Sequence, residues 1–224
     1  MRKSVQILPH LEKEFANLGF TQADAGKIEK YLNYLLKWNQ KINLTGYKDI
    51  QDLFGKIVLD SLMIYKIPDN DLSIKQRLSG KVMDLGSGAG VPGLVLALYD
   101  SSLNIDSVDS SQKKITFQKM VQANLGLTNV HPLNMRIEDL MFIQSYKESY
   151  DCILSRALAQ INSLFSYSDF FLRSGGDLFL WKGANWKDEL PAGTLTDLFK
   201  LMNELPYYID EYNHRGVLLH FRKM

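Results

Sequence analysis

A single cysteine, Cys152, among 224 residues excludes an internal disulfide, so packing has to hold the fold, as expected in a reducing compartment. No apolar run approaches the ~20 residues of a membrane-spanning helix. The short apolar stretch 5–8 ends at Pro9, too soon for the core of a signal peptide. These absences point to the cytoplasm and away from a membrane. Excess charge is missing as well: 26 Lys and Arg against 25 Asp and Glu leave +1, which argues against a protein that coats nucleic acid through bulk charge. A local basic face stays open. His10, His131, His214 and His220 stand apart without companion ligands, so no metal site is expected.

What is present is an ordinary globular composition, 46% hydrophobic and 23% charged, enough for one core with a satellite. Over 22–38 the residues Ile28, Tyr31, Leu32, Leu35 and Trp38 fall at helical spacing, which predicts an amphipathic helix ending near Asn39. A second helix is expected from Asp49, which can cap it, with Ile50, Leu53, Phe54, Ile57, Ser61 and Ile64 on one face. Residues 68–80 are polar and read as a link. After Gly80 short apolar strands at 81–85, 105–108, 130–133, 152–154 and 178–181 alternate with helical patterns at 91–99, 111–125, 161–172 and 186–205. That alternation means a parallel sheet with crossover helices. Two last strands, 207–212 and 217–222, read as a hairpin turning at 213–216. The expected architecture is therefore α/β: a Rossmann-like fold with a mostly parallel twisted sheet and a C-terminal β-hairpin. Residues 1–78 form a small helical accessory segment and 79–224 the main domain. The first part carries 12 Lys and Arg against 9 Asp and Glu and the second 14 against 16, a slightly basic accessory beside a neutral body.

Directly after the first strand comes Asp84-Leu85-Gly86-Ser87-Gly88-Ala89-Gly90, then Val91-Pro92-Gly93 opening a helix. Glycines let the backbone turn sharply and approach a ligand at the carboxyl end of the strand, where open α/β sheets bind nucleotides. Residues 88–93 also match the GxGxxG pattern of dinucleotide sites, so the glycines alone do not name the cofactor. Asp84 favours S-adenosylmethionine, because a carboxylate there would crowd a pyrophosphate but can face the cationic end of the methyl donor. Asp109, 19 residues beyond Gly90, can accept from both ribose hydroxyls, a feature both cofactor readings share. After the third strand, Ile137 can pack against an adenine face. Glu138 and Asp139 also fit plain helix-start carboxylates.

The segment after the fourth strand, Leu154-Ser155-Arg156-Ala157, lacks the Asn/Asp-Pro-Pro-aromatic pattern of exocyclic-amine methylation. It also lacks the Pro-Cys nucleophile needed to attack a pyrimidine ring, and Cys152, inside the strand, reads as a small buried hydrophobe. An acceptor that is already nucleophilic, such as guanine N7, requires no base. Arg156 can serve a cofactor carboxylate or donate to guanine O6.

The chain resembles the glucose-inhibited division protein B group of small-subunit ribosomal RNA guanine-7 methyltransferases over most of its length. The marks are Trp38-Asn39 with Ile42-Asn43-Leu44-Thr45, Leu59-Asp60-Ser61-Leu62, the loop from Asp84 to Gly93, Val108-Asp109-Ser110 with Lys113-Lys114, Ser155-Arg156-Ala157, and Lys182-Gly183. The resemblance implies S-adenosylmethionine held at Gly86, Val91, Ile137, Glu138 and Arg156, and 7-methylguanosine in the 530 loop of 16S ribosomal RNA as product. Ser87 and Ser110, inside the matching segments, join Asp84, Gly88, Gly90 and Asp109 as expected cofactor contacts. Ile57 departs from the family, which has histidine there, and Val91 stands where an aromatic is common. Lys113, Lys182 and Arg215 are the expected contacts to the RNA or small subunit, with Lys37, Lys41, Lys48, Lys114, Arg222 and Lys223 as further phosphate candidates. Trp38 could stack on a base, but its spacing from Leu35 and Tyr31 suits the core. A monomer is expected. Three other readings stay open: a methyltransferase for a small molecule or protein, a nicotinamide-dependent oxidoreductase, and a non-catalytic ribosome-associated module.

Overall fold

The computed structural model describes residue 19 and residues 21–68, 72–190 and 197–224. Helix α1 (Gln22–Ile42) begins at Thr21, whose side chain accepts the Asp24 N–H, and ends at Asn43 in the left-handed region. It runs past the expected stop at Asn39. The Asn39 side chain instead folds the following loop around itself, donating to Tyr47 O at 2.8 Å and accepting the Thr45 N–H at 2.8 Å. Asp49 caps α2 (Ile50–Leu53) as expected. The helical path continues as a π segment (Phe54–Leu59), α3 (Asp60–Leu62) and a 3-10 turn (Met63–Lys66). Around the π segment burial extends beyond the expected face to Val58 and Asp60. The link at 68–80 contains an unexpected turn of helix, α4 (Ile74–Arg77), started by a reciprocal Ser73–Gln76 capping box; residues 69–71 of that link lie outside the described residues.

The remaining elements are β1 (Lys81–Leu85), α5 (Gly93–Tyr99), β2 (Asn104–Asp109), α6 (Gln112–Leu125), β3 (Val130–Asn134), α7 (Ile137–Leu140), β4 (Tyr150–Arg156), α8 (Ile161–Phe171), β5 (Leu172–Lys182), β6 (Phe199–Ile209) and β7 (His214–Lys223). They build a seven-stranded sheet of order β3-β2-β1-β4-β5-β7-β6. The first five strands are parallel, and β7 and β6 are antiparallel additions.

Period-two alternation sorts the strand residues. Val82, Leu154, Phe179 and Leu218 face α1, α5 and α6, whereas Met83, Ile153, Leu178 and Leu219 face the side covered by α8. Tyr31 of α1 and Phe117 of α6, both fully buried, meet at a ring distance of 6.2 Å, and Trp38 packs edge-on to Phe117 at 5.6 Å. Each such ring removes roughly 150–250 Å² from water. Trp38 is thus a packing residue.

The helix expected over 186–205 does not run through that range: the described residues make a 3-10 turn (Trp186–Glu189), two helical residues at 197–198 and then β6, and 191–196 lie outside the described residues. From Phe199 on, ladder pairing with β7, from Phe199↔Lys223 to Ile209↔His214, overrides the helical spacing. Pro206 is tolerated because β6 is an edge strand. The hairpin therefore turns at Asp210–Tyr212 and Asn213, three residues earlier than expected, so β7 begins at His214. Among the described residues no helix is long and apolar enough to cross a membrane.

Candidate active site

Strand order reverses between β1 and β4, which lie side by side with Leu85 opposite Ser155. The crevice at the carboxyl ends of such a pair is where open α/β sheets take ligands. The glycine loop enters it. Gly86 and Gly88 have φ of 69° and 57°, a region that most side chains avoid. Hydrogen bonds hold the loop in that shape. Ser87 N–H donates to Val108 O at 2.9 Å and Gly88 N–H to Asp109 Oδ2 at 2.9 Å. The buried Gln118 of α6 donates to Ser87 Oγ at 2.9 Å and to Gly88 O at 2.8 Å. From α1, Tyr31 donates its hydroxyl to Ala89 O at 3.2 Å.

Asp84, fully buried on β1, accepts the Gly93 N–H through Oδ2 at 2.8 Å, while Oδ1 has no partner among the described residues. Burial drives its pKa up to about 7 against the Gly93 hydrogen bond, with Asp109 adding to the rise and Arg156 opposing it. An orphaned buried carboxylate oxygen is an unmet acceptor. It suits an ammonium group. Above Gly88 the loop is open: a Cβ built there meets only Gly86 O, at 4.0 Å. A backbone cradle that a side chain would fill, beside a partnerless carboxylate oxygen, fits the amino-acid end of S-adenosylmethionine.

One cavity opens beside this loop and a second adjoins the first. The first, about 360 Å³, is lined by Gly86, Asp109, Ser110, Ile137, Glu138 and Tyr167 among others. Asp109 Oδ1 accepts the Ser111 N–H at 2.8 Å, and Lys114 Nζ stands 3.7 Å from Oδ2. The Tyr167 hydroxyl donates to Glu138 Oε1 at 2.6 Å and is the main reason that carboxyl lies below its ordinary value. The second cavity, about 450 Å³, lies at the ends of β4, β5 and β7, with Arg156, Trp181, Lys182, Tyr207, His214 and Arg215 on its walls. Leu158 and Ala159 line both. They follow Ala157, whose φ of 52° is unusual for a residue with a Cβ.

The expected cofactor residues are thus brought together, in two layers. Gly86, Asp109, Ser110, Ile137 and Glu138 face the first cavity. Asp84, Ser87, Gly90 and Val91 form the buried base of the loop, with Gly88 over them. Arg156 stands in the second cavity. Of the expected RNA contacts, Arg215 is exposed with its guanidinium 4.9 Å from the Tyr208 ring. Lys182 is tied inward, donating to Ala159 O at 2.6 Å and pairing with Glu189 at 2.5 Å. Lys113 lies on the exposed first turn of α6, outside both linings. Cys152 is buried, and burial pushes its thiol well above the ordinary value, so it offers no nucleophile.

Sequence reasoning gave no site role to Gln118, Tyr207 and His214, nor to Asp60, although Asp60 stood in a recognised motif. Gln118 and Asp60 carried a signal, being polar residues on otherwise apolar helix faces. Tyr207 and His214 were hidden by the misplaced hairpin turn.

The parallel sheet, the glycine loop bracketed by Asp84 and Asp109, and the paired cavities define an S-adenosylmethionine-dependent methyltransferase. M. jannaschii TYW2 in complex with AdoMet has the same fold, with a TM-score of 0.54 at 15% identity over 76% of this chain and 77% of that one. More particularly, the family model GidB, rRNA small subunit methyltransferase G, matches residues 24–205, and the chain belongs to that family. Ribosomal RNA small subunit methyltransferase G of Moorella thermoacetica is 39% identical over 165 residues, 74% of this chain and 66% of that protein. The protein of the same name from Thermotoga petrophila is 31% identical over 208 residues, 92% and 86% of the two chains.

Proposed function

We propose that the protein forms 7-methylguanosine in the 530 loop of 16S ribosomal RNA, acting on that RNA or the small subunit as a cytoplasmic monomer. The observation that carries this reading is the junction of the two cavities at Leu158 and Ala159. A donor held in the first can thus reach an acceptor entering the second. S-adenosylmethionine supplies an electrophilic methyl group on its sulfonium.

Around it the chain's residues bind and orient. Gly86, Ser87, Gly88 and Gly90 let the backbone approach, on the buried support of Val91. Asp84 Oδ1 would meet the ammonium, and Asp109, beside Ser110, would accept from the ribose hydroxyls. Ile137 would pack on the adenine face next to Glu138, and Arg156 would pair with the cofactor carboxylate. Guanine N7 carries its own lone pair and no proton, so no residue of the chain has to remove one from the acceptor. Arg215 and Lys113 contact phosphates around the acceptor, and Lys182 shapes its wall. In this reading residues 1–78 are an accessory segment that braces the donor loop through Tyr31 and adds positive charge to the RNA-binding surface, and 79–224 are the methyltransferase domain.

Tritiated S-adenosylmethionine offered with small-subunit particles, transfer RNA and a protein extract tests the substrate class. Label in the small-subunit RNA alone is the expected result. Label in protein or in small molecules overturns it.

A further inference from the structure

The buried carboxylate of Asp60, only 2% exposed, gathers side chains from segments far apart in the chain. Arg156 Nε lies 2.8 Å from Oδ2. His214 Nε2, at 2.6 Å, and the Tyr207 hydroxyl, at 2.5 Å, both reach Oδ1. The Asp60 main-chain carbonyl accepts the Trp181 indole N–H at 2.8 Å. These partners belong to the end of β4, the end of β5 and both strands of the hairpin, and all of them line the second cavity with Asp60 itself. Burial and the nearby Asp60 charge keep the Tyr207 phenol protonated, well above its ordinary value, so it stays a donor. Gly216 clears its path: a Cβ there would sit 2.3 Å from the Tyr207 oxygen.

A buried ion pair of this kind is weak support for stability, since apolar packing of equal volume often does as well. Its geometry has another use. Arg156 is ion-paired through Nε with Asp60 Oδ2, which accepts no hydrogen bond among the described residues, and donates an Nη2 proton to Lys56 O at 2.7 Å. The Nη1 protons have no acceptor among the described residues. The same carboxylate that fixes this orientation also holds the hairpin that walls the cavity on the other side.

We propose that Asp60 is a positioning residue for methyl transfer. It sets the guanidinium of Arg156 against the hairpin carrying Tyr207 and His214, so that donor and acceptor are aligned through one carboxylate. This rests on the assignment of the two cavities given above. The pairing predicts two separable effects. On the donor side, Asp60 acts only through Arg156. On the acceptor side, it acts through the hairpin and leaves cofactor affinity alone.

The test is a double-mutant cycle on cofactor affinity, read by calorimetry without RNA, joined to steady-state kinetics on small-subunit particles. Asp60→Asn should weaken S-adenosylmethionine roughly tenfold in the wild-type background and hardly at all once Arg156 is alanine. Tyr207→Phe should lower kcat roughly tenfold at saturating cofactor, with cofactor affinity unchanged and the chain still folded. Additive losses in the cycle overturn the inference, as does wild-type kcat in Tyr207→Phe. If Asp60→Asn does not fold, Tyr207→Phe, which removes one hydroxyl, carries the test. A wild-type protein that binds cofactor but methylates no small-subunit RNA defeats the substrate assignment instead, and the affinity cycle still decides whether Asp60 works through Arg156.

Discussion

The main-chain N–H of Gly88 donates to Oδ2 of Asp109 at 2.9 Å. The carboxylate assigned to the cofactor ribose thus also braces the loop assigned to its amino-acid end. Replacing Asp109 by alanine should weaken S-adenosylmethionine and its demethylated product by the same amount, because both carry the same ribose. Losing a charge-assisted pair suggests ~1.5–3 kcal/mol. Calorimetric titration with each ligand measures this, and wild-type affinity for both would show Asp109 to be a bystander.

Gly88 separates the two demands on the loop. Its φ of 57° makes any side chain mildly strained, yet the space above it is open. Gly88→Val should therefore fold with a stability loss of about 1–3 kcal/mol and bind no cofactor. Thermal melting and calorimetry on the same preparation read both quantities, and retained binding would remove the loop from the cofactor site.

Asp84 gives a pH dependence with a definite sign. Its pKa in the folded chain, about 7, lies above the ordinary 3.8, so the folded state keeps this proton longer than the unfolded one. Its ionisation therefore lowers stability as pH rises from about 4, and the loss is complete above about 7. A cofactor ammonium selects the carboxylate, so affinity should climb with pH to about 7 and then level, with proton release on binding near pH 6. Titrations in buffers of different ionisation enthalpy should detect that proton in the wild type and not in Asp84→Asn. A pH-independent wild type would contradict the assignment.

The sheet and the donor site were largely legible in the sequence, because strand, glycine loop and second-strand carboxylate are local patterns fixed by backbone sterics and by strand and helix periods. The fourth and fifth strands were recognised but drawn short. The acceptor side was less legible. Residues 199–205 of β6 read as helix until β7 pairs with them, although 207–209 were read as strand, and no local signal specifies that ladder. Asp60 stood in a recognised motif, but its partners lie 96 to 154 residues away in the chain, so only the folded molecule shows that they meet. Lys182 read as a free cation, whereas Glu189 and Ala159 O hold it inward.

A net charge of +1 leaves the grip on RNA to local basic clusters. The affinity for RNA should fall with salt at a log–log slope of several units. Lys113→Ala and Arg215→Ala should each reduce its magnitude by about one. Arg156→Ala should leave the slope as it is while impairing cofactor affinity or transfer. Filter binding over a salt series decides it, and an unchanged slope in all three variants would sink the composite surface.

The central claim is that a methyl group goes from S-adenosylmethionine to N7 of one guanine without a residue acting as base. Small-subunit particles methylated by the protein can be reduced with borohydride and treated with aniline, which cleaves RNA at N7-alkylated guanines, and the break mapped by primer extension. The account predicts a single new stop within the 530 loop, absent without cofactor. Methylation without cleavage, with label on an exocyclic amine, would contradict it; such an acceptor sheds a proton, and the His214–Asp60 pair would then be the base.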